Sequence, residues 1–138
     1  MRIPNYDIKL YEWLNTVIGK PYIWGETDCG TLVREGLKLI TGIDPFGNLP
    51  YWKTEMECRQ IWDAMGGVDK AFTEIFKFKK IDRNYIQMGD VSVLEVRDLI
   101  TASLIINNER MLFSSVDKGV EIRNLTQLQK LNIRFYRL

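Results

Sequence analysis

Asp28-Cys29 is the place in this sequence where residue types and spacing are best suited to chemistry. The run Gly19-Lys20-Pro21-Tyr22-Ile23-Trp24-Gly25-Glu26-Thr27-Asp28-Cys29-Gly30-Thr31-Leu32-Val33 is a loop rich in Gly, Pro and aromatics that leads into an amphipathic stretch. It puts a thiol at a helix N-terminus, where backbone N–H groups and the helix dipole favour the thiolate. A thiolate that cleaves amides also needs a general base, which later protonates the leaving amine, and histidine is the usual choice. The 138 residues contain no histidine. The nucleophile is in place and its ordinary partner is missing.

Each residue of this segment has a chemical reading and a structural one. Cys29 is either a reactive thiolate or a buried, inert thiol, since free Cys is among the most buried residue types. Asp28 reads as a helix cap or first-turn anion, and its charge opposes thiolate formation next door. Glu26 and Asp28 could pair as carboxylates, or Glu26 could stand in for the base. Tyr22 and Trp24 either line a groove or wedge the loop onto the core. Cys58 lies on an apolar helical stripe and reads as core.

The elements that position these residues follow from periodicity. A first helix is expected from about Asn5 to Ile18, with Tyr6, Leu10, Trp13, Leu14 and Val17 on one face, capped by Asn5 and ended by Gly19. A second starts near Asp28, buries Leu32, Val33, Leu37 and Ile40, and stops at Gly42. The turn-rich loop Ile43 to Pro50 follows. Thr54 is expected to cap a third helix with Cys58, Ile61, Trp62 and Met65 inward, ending at Gly66-Gly67. A short fourth covers Asp69 to Phe76, and Lys77 to Tyr85 reads as an exposed basic connector. Strands are then expected at Val91–Val96, Thr101–Ile106, Arg110–Ser114, Val120–Ile122 and Ile133–Tyr136, with helical turns over Leu125–Leu131. The last strand, where Arg134 and Arg137 alternate with Ile133, Phe135 and Tyr136, reads as ordinary half-buried patterning, with an exposed edge open to a partner as the alternative. Helices followed by strands give an α+β fold, N-terminal helices on a small antiparallel sheet, in one domain over 1–138.

Composition narrows the function classes. A net charge of +1 argues against nucleic acid as a partner. Apolar runs fall far short of the roughly 18 residues of a membrane span. The start Met-Arg-Ile-Pro-Asn-Tyr-Asp is polar and predicts no secretion signal. Cys29 and Cys58 form no metal-binding pattern and are expected to be free thiols made in a reducing cytoplasm. No cofactor is expected.

With these residues laid out, the chain resembles the NlpC-type, papain-like cysteine peptidases, which cut peptidoglycan stem peptides. Three segments carry the likeness: Gly19 to Val33, with Cys29 in the nucleophile position; Gly89-Asp90-Val91, like the opening of the family's first core strand; and the hairpin from Thr101 to Ser114. It is more similar still to small proteins of phage tail clusters that share Pro21-Tyr22-Ile23-Trp24-Gly25-Glu26-Thr27-Asp28-Cys29, then Thr41-Gly42-Ile43-Asp44-Pro45, the Gly66-Gly67 pair and an aromatic-Arg end, Tyr136-Arg137. That group commonly lacks the histidine too.

The resemblance implies a papain-like fold and a catalytically degenerate domain acting as a structural or assembly part of a phage tail tip. In that reading Cys29 is a vestigial nucleophile, Thr101 marks the place of the missing base, and Ser114 the third position. Tyr22, Trp24 and Asp28 mark a remnant cleft. The expected partners are other tail-tip proteins or further copies in a ring, in a virion assembled from protein made in the host cytoplasm. The alternatives are a cysteine peptidase or amidase on peptidoglycan that borrows its base from another chain, and a module that binds murein without cutting it.

Overall fold

The computed structural model describes residues 2–96, 99–128 and 132–138. Helix α1 (Tyr6–Val17) buries Leu10, Leu14 and Val17. Asn5 precedes it in the left-handed conformation, but its side chain makes no capping bond, contrary to expectation. Asn tolerates that backbone better than most residues, so the position is used for its φ and not for its amide. Helix α2 (Cys29–Thr41) is capped by Asp28, whose carboxylate accepts from the Thr31 N–H, and is closed by left-handed Gly42 at φ 77°. In α3 (Glu55–Ala64) Thr54 accepts from the Glu57 N–H, and the Glu57 carboxylate accepts in turn from the Lys53 N–H at 2.7 Å. A single turn, α4 (Val68–Lys70), widens into a π-turn at Ala71–Ile75.

Among the described residues six strands make one sheet: β1 (Lys79–Ile81), β2 (Val91–Val96), β3 (Leu99–Ile105), β4 (Arg110–Ser115), β5 (Gly119–Asn124) and β6 (Asn132–Arg137), in the order β1-β6-β2-β3-β4-β5. Every neighbouring pair is antiparallel. The fold is α+β, helices packed with an antiparallel sheet. No helix among the described residues is long and apolar enough to cross a membrane.

Two expectations fail here. The segment read as a basic connector contains β1, and Phe78 within it is buried. The last strand is half-buried as expected, but the alternative of an open edge there fails: it is interior, with β1 on one side and β2 on the other. A three-residue strand that pairs with residues more than fifty positions later leaves no local signal. Of the expected turns over Leu125–Leu131, Leu125–Leu128 forms a 3-10 turn and the rest lies outside the described residues.

Register assigns the two faces of the sheet. Val91 sits opposite Leu104, and Val93 opposite Ala102. These residues, with Leu112, Val120 and Tyr136, join the helices in the main core. The alternate set, Leu94, Ile105, Met111 and Phe135, builds a smaller cluster with Ile86 and Leu125 on the other face. Helix α2 lies close against β3: a Cβ built on Gly36 would stand 2.6 Å from the Leu104 Cδ2. Glycine at that position sets how near Cys29, at the start of the same helix, comes to the strand.

Candidate functional site

The loop before Cys29 is held at both ends and through its middle. At its start the Gly19 N–H donates to the Val120 carbonyl at 2.8 Å, and the Val120 N–H donates to the Lys20 carbonyl at 2.9 Å. In the middle the Thr27 hydroxyl donates to the Pro21 carbonyl at 2.6 Å and accepts from the Ile23 N–H at 2.7 Å. At its end Ser114 Oγ, on β4, donates to the Thr27 carbonyl at 2.6 Å. Ser114, expected as the third member of a catalytic set, is spent on bracing the loop.

Asp28 is fully buried and accepts four hydrogen bonds. Its Oδ2 takes the Gly25 N–H and the Thr31 hydroxyl, both at 2.7 Å; its Oδ1 takes the Thr31 N–H at 3.1 Å and the Trp52 indole N–H at 3.0 Å. A carboxylate accepts about that many bonds in all, so none of its capacity is left for proton transfer. The Trp-Gly-x-x-Asp-Cys-Gly pattern closes around Trp52. A Cβ on Gly25 (φ 84°) would fall 2.3 Å from the Trp52 carbonyl oxygen, and a Cβ on Gly30 2.7 Å from its indole ring. Trp52 went unnoticed in the sequence. Its signal is the pair of glycines flanking a buried carboxylate, which leaves room for a large donor-bearing ring.

Cys29 is half-buried, at the first position of α2. Burial raises its thiol most strongly; the Ala102 backbone N–H acts the other way, Asp28 adds to the rise, and the Gly30 amide opposes it, leaving the thiol pushed up to about 11. The thiolate share near pH 7 is then about 10⁻⁴. Cys58 is likewise pushed up to about 12, by burial first and then by Cys29 and Asp28. The Tyr22 phenol is raised by burial and by the same two neighbours. Tyr22 stands edge-on to Trp24, with ring centroids 5.1 Å apart. Tyr22 and Cys58 therefore share the surroundings of Cys29, and Trp24 buttresses Tyr22 while packing partly against the main core.

The strand facing the thiol presents no base. Thr101, expected at the base position, pairs with Leu94 and so lies on the far face of the sheet, with the smaller cluster. Ala102 is the residue on the helix side, its side chain part of the main core, and what it offers Cys29 is a backbone N–H. Alternation along β3 could be read from the sequence, but its phase could not. Glu26 is exposed, and its neighbours' hydrogen bonds hold the loop without it. The site therefore holds a protonated thiol in a hydrogen-bonded frame, and β3 places no basic side chain beside it among the described residues.

A family model described as a domain of unknown function (DUF6950) matches residues 1–131. No curated protein matches the chain.

Proposed function

We propose that this chain, which belongs to the DUF6950 family, is a catalytically silent NlpC-like domain that serves as a structural or assembly component of a phage tail tip. The observation that supports catalytic silence is the setting of Cys29: the thiol is pushed up to about 11, and the facing strand offers it the Ala102 amide where a base is needed. Loss of general acid–base help costs on the order of 10²–10⁴ in rate, and loss of one member of a coupled pair can cost far more. The tail-tip assignment is supported by the Pro21-to-Cys29 and Thr41-to-Pro45 patterns. The loop braces explain why such a motif outlives its chemistry. Asp28, Gly25, Gly30 and Thr27 tie α2, β4 and Trp52 together, whatever Cys29 does.

Two measurements test the reading. Size-exclusion chromatography with light scattering, with the proteins encoded beside this one, is expected to yield a complex of fixed stoichiometry. A protein that stays monomeric and binds none of them overturns the assembly role. Incubation with peptidoglycan fragments is expected to give no product above the Cys29→Ala control. Stem-peptide release that disappears in Cys29→Ala overturns catalytic silence and restores the hydrolase with a borrowed base.

A further inference from the structure

Positive charge is gathered on one edge of the sheet. Residues 77–85 hold four cations, Lys77, Lys79, Lys80 and Arg83, and one anion, Asp82, a net of +3 in a chain whose total is +1, so the remainder carries −2. Lys77, Lys79 and Lys80 are exposed and Arg83 is half-buried. Among the described residues none of the four forms an ion pair, whereas Arg34, Arg59, Arg134 and Arg137 all do.

The same segment contains β1, the end strand of the sheet, whose ladder partner β6 lies on one side only. Where the chain leaves that ladder, a recess of about 330 Å³ opens, in whose lining Lys80, Arg83 and Arg134 outnumber the one carboxylate, Asp82. The opposite edge differs. The N–H and carbonyl of Val120 on β5 are already taken by Lys20 and Gly19, and Glu121 and Arg123 neutralise each other.

Lysines on an edge strand ordinarily prevent self-pairing, because a second copy laid against β1 would set cation against cation. The same charges favour an anionic strand. We propose that β1 is the docking edge for an acidic, extended segment of a partner protein, which adds a further strand to the sheet and sets its carboxylates on Lys79, Lys80 and Arg83. Backbone bonds along the edge would supply affinity and the charges selectivity. Lys79 and Lys80 point to opposite faces, so the matching segment carries adjacent acidic residues rather than alternating ones.

The test uses a fluorescein-labelled peptide with two adjacent Glu residues flanked by Val and Thr, read by anisotropy and by hydrogen exchange of the full chain. Binding is expected to slow exchange at Lys79–Ile81 and to weaken as salt rises. It should weaken roughly tenfold in the exposed Lys79→Gln/Lys80→Gln double variant, whose melting temperature controls for folding. The Cys29→Ala variant should bind like the native chain, which separates this inference from the reading of the thiol. Absence of binding overturns it. So does equal binding of a peptide with alternate amides N-methylated, which would leave charge without strand addition. Protection at β5 instead, self-association through the same amides without peptide, or stronger protection of those amides by duplex DNA would each overturn it as well.

Discussion

At Cys29, two neighbours that favour a thiolate lose to one physical fact. The helix start and the Ala102 amide both stabilise negative charge on sulfur, but burial outweighs them. Folding therefore holds the thiol protonated. Its folded-state value lies above the ordinary 9.0, so the stabilisation it brings is complete below that value and is lost as pH rises through about 11. Iodoacetamide alkylation of native protein should accordingly remain slow through pH 8 and accelerate with an apparent midpoint near 11. Mass spectrometry of the tryptic peptide carrying Cys29 measures it. A midpoint near the free-thiol value of about 8.5 would show that the site is open and the thiol ordinary. Asp28 and Cys29 were legible in the sequence because a Gly- and aromatic-rich loop running into an amphipathic helix is a local pattern. Trp52 and Ala102 were not, because one depends on a contact across 24 positions and the other on the phase of a strand.

Elements with local punctuation stand where the sequence placed them. Asp28, Thr54 and Gly42 do at α2 and α3 what such residues do at helix ends, and Gly119 at φ 72° turns the β4–β5 hairpin. Elements defined by distant partners were misread. The Lys-Phe-Lys-Lys run is too short to show an alternation, and only β6 makes a strand of it. The join between helical loop and sheet is similarly non-local, and it rests on a few bonds. Ser114→Ala removes the hydroxyl that satisfies the buried Thr27 carbonyl, 87 positions away. Leaving that acceptor unpaired should cost about 1–3 kcal/mol. The effect should appear as a lower urea midpoint with an unchanged slope. Alkylation of Cys29 below pH 9 should also quicken, because the loop that leads into it is loosened. An unchanged midpoint and labelling rate would mean that Thr27 finds another donor and that Ser114 braces nothing.

Across the molecule, charged side chains fasten strand to strand, helix to loop and helix to sheet. Arg137 on β6 grips fully buried Asp90 at the mouth of β2 with two bonds, at 2.8 and 2.9 Å. Arg34 on α2 grips Asp44 likewise and reaches the Leu49 carbonyl at 2.8 Å, which fixes the loop that delivers Trp52 to Asp28. The helical half meets the sheet at Asp69 on α4, which takes two bonds of 2.7 Å from Arg134 and one from the Tyr136 hydroxyl. Burial pushes the Asp69 carboxyl up, but the bonds from Arg134 and Tyr136 together outweigh it and hold the group below its ordinary 3.8. Asp44 is lowered in the same way, burial being overcome by Arg34 and the Phe46 N–H. In both cases the unfolded chain binds a proton more readily than the folded one. The stabilisation is thus present above pH 3.8 and drains away as pH falls through the folded-state values. Asp69→Asn should therefore act in two ways. At neutral pH it should lower stability by about 1–2 kcal/mol, discounted from the buried-pair range because the Asp69 side chain is partly solvated. Below pH 3.8 the variant's stability should fall less steeply than that of the native chain, because one carboxylate has been taken out of the linkage. Urea unfolding from pH 3 to pH 7 reads both effects. Parallel acid limbs in the two proteins would show that the Asp69–Arg134 contact holds no linked proton. The contact of α4 and its π-turn with β6 would then rest on packing such as that of Phe72 against Tyr136.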